Sequence, residues 1–146
     1  MTEDAPESAA PAQEPQAHRL SAQARAILDD ETFEVGLRLR TAARLTRLAL
    51  EAAIDDYWER TDPRLRHPLP RRAQFIVLAA EPDLRKLART AHSTWCSLSR
   101  AGHQHPYELT CTIDEISGWM HDVDACIEQF TGTLTRRADP RVPERR

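Results

Sequence analysis

Four glycines and a single lysine, Lys86, are the plainest shortages in this chain of 146 residues. So few glycines fit poorly with a fold rich in tight turns, and no Val/Ile/Thr-rich alternating run argues for a strand. Long apolar runs are missing too. None approaches the roughly 18–20 residues needed to cross a bilayer, so no membrane span is expected. The opening "MTEDAPESAAPAQEPQAH" has neither a basic segment nor an apolar one, which speaks against a signal peptide. Cys96, Cys111 and Cys126 lack CxxC spacing, and buried free thiols in a reducing cytoplasm are the expected state. A net charge of -3 exerts no global pull on nucleic acid or an anionic membrane. Of the 20 basic residues only Lys86 is not arginine, a bias typical of GC-rich coding sequence that weakens each arginine as a functional signal.

What is present is helical periodicity. Residues 1–18, rich in Ala, Pro, Glu and Gln, cannot bury enough surface to offset ordering entropy, and read as a disordered tail. Residues 136–146, "RRADPRVPERR", carry five Arg against Asp139 and Glu144 and read as a flexible basic tail. Between them, 19–135 reads as one domain. A short helix is expected from Ser21, with Leu20, Ala24 and Ile27 on its apolar side. A long helix over 31–60 follows, with Phe33, Leu37, Leu45, Leu48, Ala52, Ile54 and Tyr57 in a stripe broad enough for more than one neighbour. Pro63, Pro68 and Pro70 end it. "RRAQFIVLAA" (71–80) is a short helix, and Pro82 suits the first turn of another over 83–101 that carries Leu84, Leu87, Ala88, Ala91, Trp95 and Leu98. Thr112 with Glu115 forms a capping box for a last helix to about residue 134, which buries Ile113, Ile116, Trp119, Met120, Val123, Ile127 and Phe130. The expected fold is all-α: a single-domain antiparallel bundle of four to five helices.

Reactive residue types crowd only in "SRAGHQHPYEL" (99–109). Arg100 and His105 have four residues between them, at a helix end and in the loop beyond. A guanidinium holds phosphate in two-pronged fashion, and an imidazole moves protons near neutrality. The pair suits cleavage of an RNA phosphodiester, with His105 handling the proton and Arg100 stabilising the transition-state charge. Tyr107 would stack on a base or bond the phosphate, and His103 would assist. The plainer alternative has Arg100 paired to Glu108 and His105 serving as a helix C-cap. A zinc site from Cys96, His103, His105 and Cys111 is weaker, because Cys96 would sit mid-helix, away from the other three; no metal or cofactor is expected.

The run "LSRAGHQHPYELTCTIDEISGWMHDVDACI" resembles the catalytic end of HEPN domains, helical bundles named for their occurrence in higher eukaryotes and prokaryotes. Their R-x(4–6)-H motif lies between two helices and is often followed by an aromatic or a Pro-Tyr pair, matching Arg100, His105, Pro106 and Tyr107 here. The resemblance spans roughly residues 31–134, and its specific part only about thirty of them. It implies a HEPN-like bundle and a metal-independent ribonuclease of the toxin–antitoxin or phage-defence type. It also implies a homodimer whose two motifs face one cleft, with RNA as substrate and an antitoxin or other protein as partner. Many active members have Asn or Asp directly after the motif Arg, where this chain has Ala101. Other members have lost catalysis and act as binding modules, which is the alternative reading of this chain.

Elsewhere, Arg40, Arg44 and Arg47 recur at helical spacing with Arg38 close by, and with Arg71 they are the candidate RNA-backbone contacts. The competing reading is a solvated face paired with nearby carboxylates. Residues 106–135 hold six acidic residues and no Lys or Arg, so a polyanion would approach from the long-helix side and the 64–72 loop. That acidic helix could instead take up the basic C-terminal tail. His92 and His121, near apolar stripes, read as hydrogen-bonded structural histidines, and Trp58, Trp95 and Trp119 as core.

Overall fold

The computed structural model describes residues 14–103 and 111–139, and all regular structure among them is helical. Helix α1 covers Gln16–Asp29, α2 Val35–Thr61, α3 Arg71–Ala80, α4 Arg85–Gly102 and α5 Ile113–Ala138, with single 3-10 turns at Pro63–Leu65 and Pro82–Leu84. The protein is an all-α, single-domain bundle. None of the described helices is long and apolar enough to cross a membrane. The expected tails fall mainly on 1–13 and 140–146, outside the described residues, but both helices beside them run further than periodicity suggests. Helix α1 starts directly after Pro15 and buries Ala17, and α5 continues to Ala138.

Side-chain caps set the helix starts. Glu34 accepts hydrogen bonds from the backbone N–H of Gly36 and Leu37, fixing the start of α2 four residues later than the stripe suggested. These two bonds, chiefly, hold its carboxyl below the usual range, and the Arg40 charge adds to the effect. Asp30 accepts from the backbone and hydroxyl of Thr32, keeping the 30–34 link out of a helix. The Thr112–Glu115 capping box opens α5 as expected.

Helix α2 is the centre of the bundle and packs against α1, α4 and α5. Trp95 Nε1 of α4 donates to Glu51 at 2.8 Å, and Arg44 Nε of α2 donates to the Gly102 carbonyl at 3.1 Å. Later α4 residues thus meet earlier α2 residues, so these helices are antiparallel. Tyr57 meets Phe130 of α5 at 5.5 Å between ring centroids, with Arg137 over the Tyr57 ring at 5.7 Å. Helices α2 and α5 therefore run in the same direction, and α4, between them in sequence, returns the chain.

Buried alanines let the helices approach closely: Ala42, Ala43, Ala49 and Ala53 line α2, with Leu50, Ile54, Tyr57 and Trp58 supplying bulk. Leu37 and Leu48, placed in the apolar stripe by spacing, stay more than 40% exposed because these alanine positions, not theirs, meet the neighbours, while Phe33, also exposed, falls in the link before α2. In α5, Ile116, Met120, Val123, Cys126, Ile127 and Phe130 are buried, Trp119 is half-buried and Ile113 is exposed. Burial pushes the Cys126 thiol up to about 12, the Asp122 charge adding to it, so this sulfur stays protonated and inert. All three cysteines are free; Cys111 is buried and Cys96 half-buried.

Candidate functional site

Helix α4 ends where the reactive stretch begins. Its last residue is Gly102, and His103 caps it, donating its backbone N–H to the Arg100 carbonyl at 3.1 Å. The helix has one strongly apolar face, with Leu87, Ala88, Ala91, Thr94, Leu98 and Ala101 buried. Arg100 stands two residues beyond Leu98, about 200° further round the helix, and so points away from the core. It is exposed, as is His103. Among the described residues neither side chain makes a hydrogen bond or ion pair. A cation in the last turn also complements the partial negative charge of the helix end.

Ala101, at the position where many HEPN members carry a polar residue, is only 2% exposed and belongs to the core. A side chain there faces packed apolar atoms rather than any ligand held by Arg100. Gly102 is buried for a different reason. A Cβ on it would lie 3.1 Å from Arg44 Cγ, so the missing side chain lets the Arg44 stem cross to the helix end and bond the Gly102 carbonyl. Arg44 of α2 thus arrives within a turn of Arg100 and His103. His105 and Tyr107, with Pro106 and Glu108, lie outside the described residues.

Of the other basic candidates, Arg44, Arg47 and Arg71 are engaged within the molecule. Arg47 faces Glu51 at 3.6 Å, and that carboxylate also takes the Trp95 indole N–H. Arg40 lies over Gly36, close enough to Glu34 to influence its carboxyl. Arg38 is buried, and its Nε has no hydrogen-bond partner among the described residues. Arg71 bonds both Asp55 and Gln74 Oε1 at 2.8 Å, while the Gln74 amide donates to the Arg66 and Leu69 carbonyls. That network pins the start of α3 and the proline-rich link to α2. Arg71 is a structural clamp, and its chemistry is spent on Asp55.

Spacing did not single out the outer face of α4. Its 18 residues include Arg85, Lys86, Arg89 and Arg100 and no Asp or Glu. All four cations are exposed, with Thr90 and Ser93 exposed between them. Seven ion pairs join the described residues, and none uses α4. Arg85 does donate through Nε to the Ala79 carbonyl at 3.3 Å. The absence of acid over an entire helix was the available sequence signal.

The remaining candidates divide. Among the described residues no three His, Cys, Asp or Glu side chains gather as a metal site, and His105 of the zinc quartet lies outside them. His92 meets Phe75 at 5.1 Å between ring centroids in a tilted contact; it and His121 are exposed, and neither makes the expected side-chain hydrogen bond among the described residues. Trp58 is core, at 2% exposure, while Trp95 is half-buried and tied to Glu51. A groove of about 520 Å³ lies between α1, α2 and α5, with Leu20, Leu48, Ala52, Phe130 and Leu134 on its walls. Arg100 and His103 are not among its lining residues. No family model, curated protein or solved structure matches the chain, so its likeness to HEPN domains rests on the motif residues alone.

Proposed function

We propose that this protein is a HEPN-like, metal-independent endoribonuclease of the toxin or defence type, acting as a homodimer in the cytoplasm. The observation that supports it best is Arg100. It projects from the last turn of α4 into solvent, opposite the core, beside exposed His103, and no carboxylate among the described residues neutralises it. A guanidinium turned outward in this way has only one wall of a cleft, and a second copy of the chain would supply the other. In the proposed reaction His105 takes the proton of the ribose 2'-hydroxyl. The 2'-oxygen attacks phosphorus, and the 5'-oxygen leaves with a proton from a second imidazole, giving a cyclic phosphate and a 5'-hydroxyl. Arg100 stabilises the charge on the phosphorane-like transition state. An antitoxin or other protein partner would act by covering this surface.

The test is cleavage of varied RNAs by purified protein in EDTA. Arg100→Ala and His105→Ala should each lower the rate at least about 100-fold, the scale of a lost general base or charge-stabilising group, with circular dichroism unchanged. Equal inertness of wild type and variants sinks the enzymatic reading.

A second reading, a non-catalytic helical interaction module, draws on two observations. Ala101 is a core residue, and the groove between α1, α2 and α5, away from the motif, sets apolar Leu20, Leu48, Phe130 and Leu134 beside the carboxylates Glu51, Asp55 and Glu59.

A further inference from the structure

We infer that the outer face of α4 is a docking surface for single-stranded RNA, with Arg85, Lys86 and Arg89 holding the phosphate backbone and leading it to Arg100. This rests on RNA being the ligand of the Arg100/His105 site, and adds where the strand lies outside that site.

Arg85, Arg89, Ser93 and Arg100 recur at helical spacing on the side of α4 away from Ala91 and Leu98, with Lys86 and Thr90 beside them. From Arg85 to Arg100 the helix rises about 22 Å, enough for several consecutive phosphates. Hydroxyls between the cations add neutral donors for phosphate oxygens.

Charge complementarity favours this face, where four exposed cations share one helix. Elsewhere among the described residues many basic side chains sit beside carboxylates: Arg25 with Asp124, Arg60 with Asp56, Arg64 with Asp62, Arg66 with Glu59, Arg71 with Asp55 and Arg137 with Glu81. Arg19, Arg72 and Arg136 are exposed without an ion pair, but they stand one to a helix on α1, α3 and α5. On α4 no acid is present to compete with an incoming phosphate. The acidic residues of α5, including exposed Asp114, Glu115 and Glu128, confine a polyanion to the outer line of α4.

The face is also poor in apolar surface. The large exposed hydrophobic residues, Phe33, Val35, Leu37, Leu48, Ile76 and Ile113, all lie on other elements. A protein partner or a membrane would need such anchors, whereas a nucleic-acid backbone needs only cations and hydrogen-bond donors. The row ends at the motif, so a strand bound along it presents a phosphodiester to Arg100.

The experiment measures anisotropy of a fluorescein-labelled U20 RNA with full-length protein in EDTA at 50–200 mM salt, alongside cleavage on a gel. The triple variant Arg85→Ala/Lys86→Ala/Arg89→Ala should bind at least tenfold more weakly. Its log affinity should fall less steeply with log salt, the slope shrinking by about 2 for three lost single-strand phosphate contacts. Arg40→Ala/Arg47→Ala should change affinity less than threefold. The proposal is overturned if the triple variant binds like wild type with its full salt slope, if wild type does not bind U20 at 50 mM salt, or if polyglutamate displaces U20 at equal charge concentration. Binding lost in the triple variant from a wild type that cuts no RNA upholds the surface and removes the nuclease reading. Cleavage abolished by His105→Ala, with triple-variant binding intact, does the reverse.

Discussion

Two rows of basic side chains at helical spacing stand on neighbouring antiparallel helices, and they have different fates. On α2, Arg47 faces Glu51, Arg44 bonds the end of α4, Arg40 leans toward Glu34 and Arg38 is buried. On α4, Lys86, Arg89 and Arg100 face solvent with no partner among the described residues. Spacing alone is identical in kind for both rows. The difference is the supply of acceptors: α2 packs against three other helices and carries its own carboxylates, Glu51, Asp55, Asp56 and Glu59. Among the described residues no carboxylate pairs with the outer side of α4, where only Arg85 bonds a neighbouring carbonyl. A basic row therefore reports on function only after its intramolecular acceptors have been subtracted.

The contrast extends across α4 itself, where Arg100 and Ala101 are adjacent in sequence and opposite in environment. Ala101→Asn, which installs the polar residue common after the motif Arg, places an amide among packed apolar atoms. Lost solvation and overpacking together should destabilise the fold by about 2–5 kcal/mol, read from the urea midpoint. Arg100→Ala should stay within about 0.5 kcal/mol. If Ala101→Asn is as stable as wild type, the inner face is looser than its burial indicates, and the motif position is open to ligand after all.

Much of the fold was legible because its signals are local. The prolines at 63, 68 and 70 break the long helix, Pro82 restarts the chain, and Thr112 with Glu115 caps α5. Apolar recurrence found the α4 and α5 cores almost residue by residue. The apolar stripe departs from burial at Leu37 and Leu48, since alanine carries little periodic weight yet lets helices pack closely, and at Phe33, which precedes α2. The site was legible in residue types and less so in arrangement. Arg71 meets Asp55 sixteen residues away and Arg44 meets Gly102 across fifty-eight, pairings that only the tertiary fold creates. Such contacts decide which arginines remain for a ligand.

Removing an engaged arginine should therefore register in stability rather than binding. Arg71→Ala leaves half-buried Asp55 and the buried Gln74 Oε1 without this donor, at a cost of about 1–3 kcal/mol in chemical denaturation. U20 affinity should stay within twofold of wild type. A tenfold loss of affinity with unchanged stability would instead mean that Arg71 leaves Asp55 for phosphate, restoring the basic approach by the 64–72 loop.

The finest distinction is within Arg44, whose aliphatic stem and charged head do separate work. The stem lies against Gly102, and Nε satisfies a carbonyl that α4 leaves open at its C-terminus. Arg44→Met retains the stem and removes the donor, so it should cost about 0.5–1.5 kcal/mol, the range of a single hydrogen bond. Arg44→Ala removes both and should cost more, while Arg89→Ala on the outer face should stay within about 0.5 kcal/mol. If Arg44→Met is neutral and Arg44→Ala is not, the contact is packing alone, and the guanidinium is as free as those of α4. The α2 row would then deserve the same RNA-binding test as its neighbour.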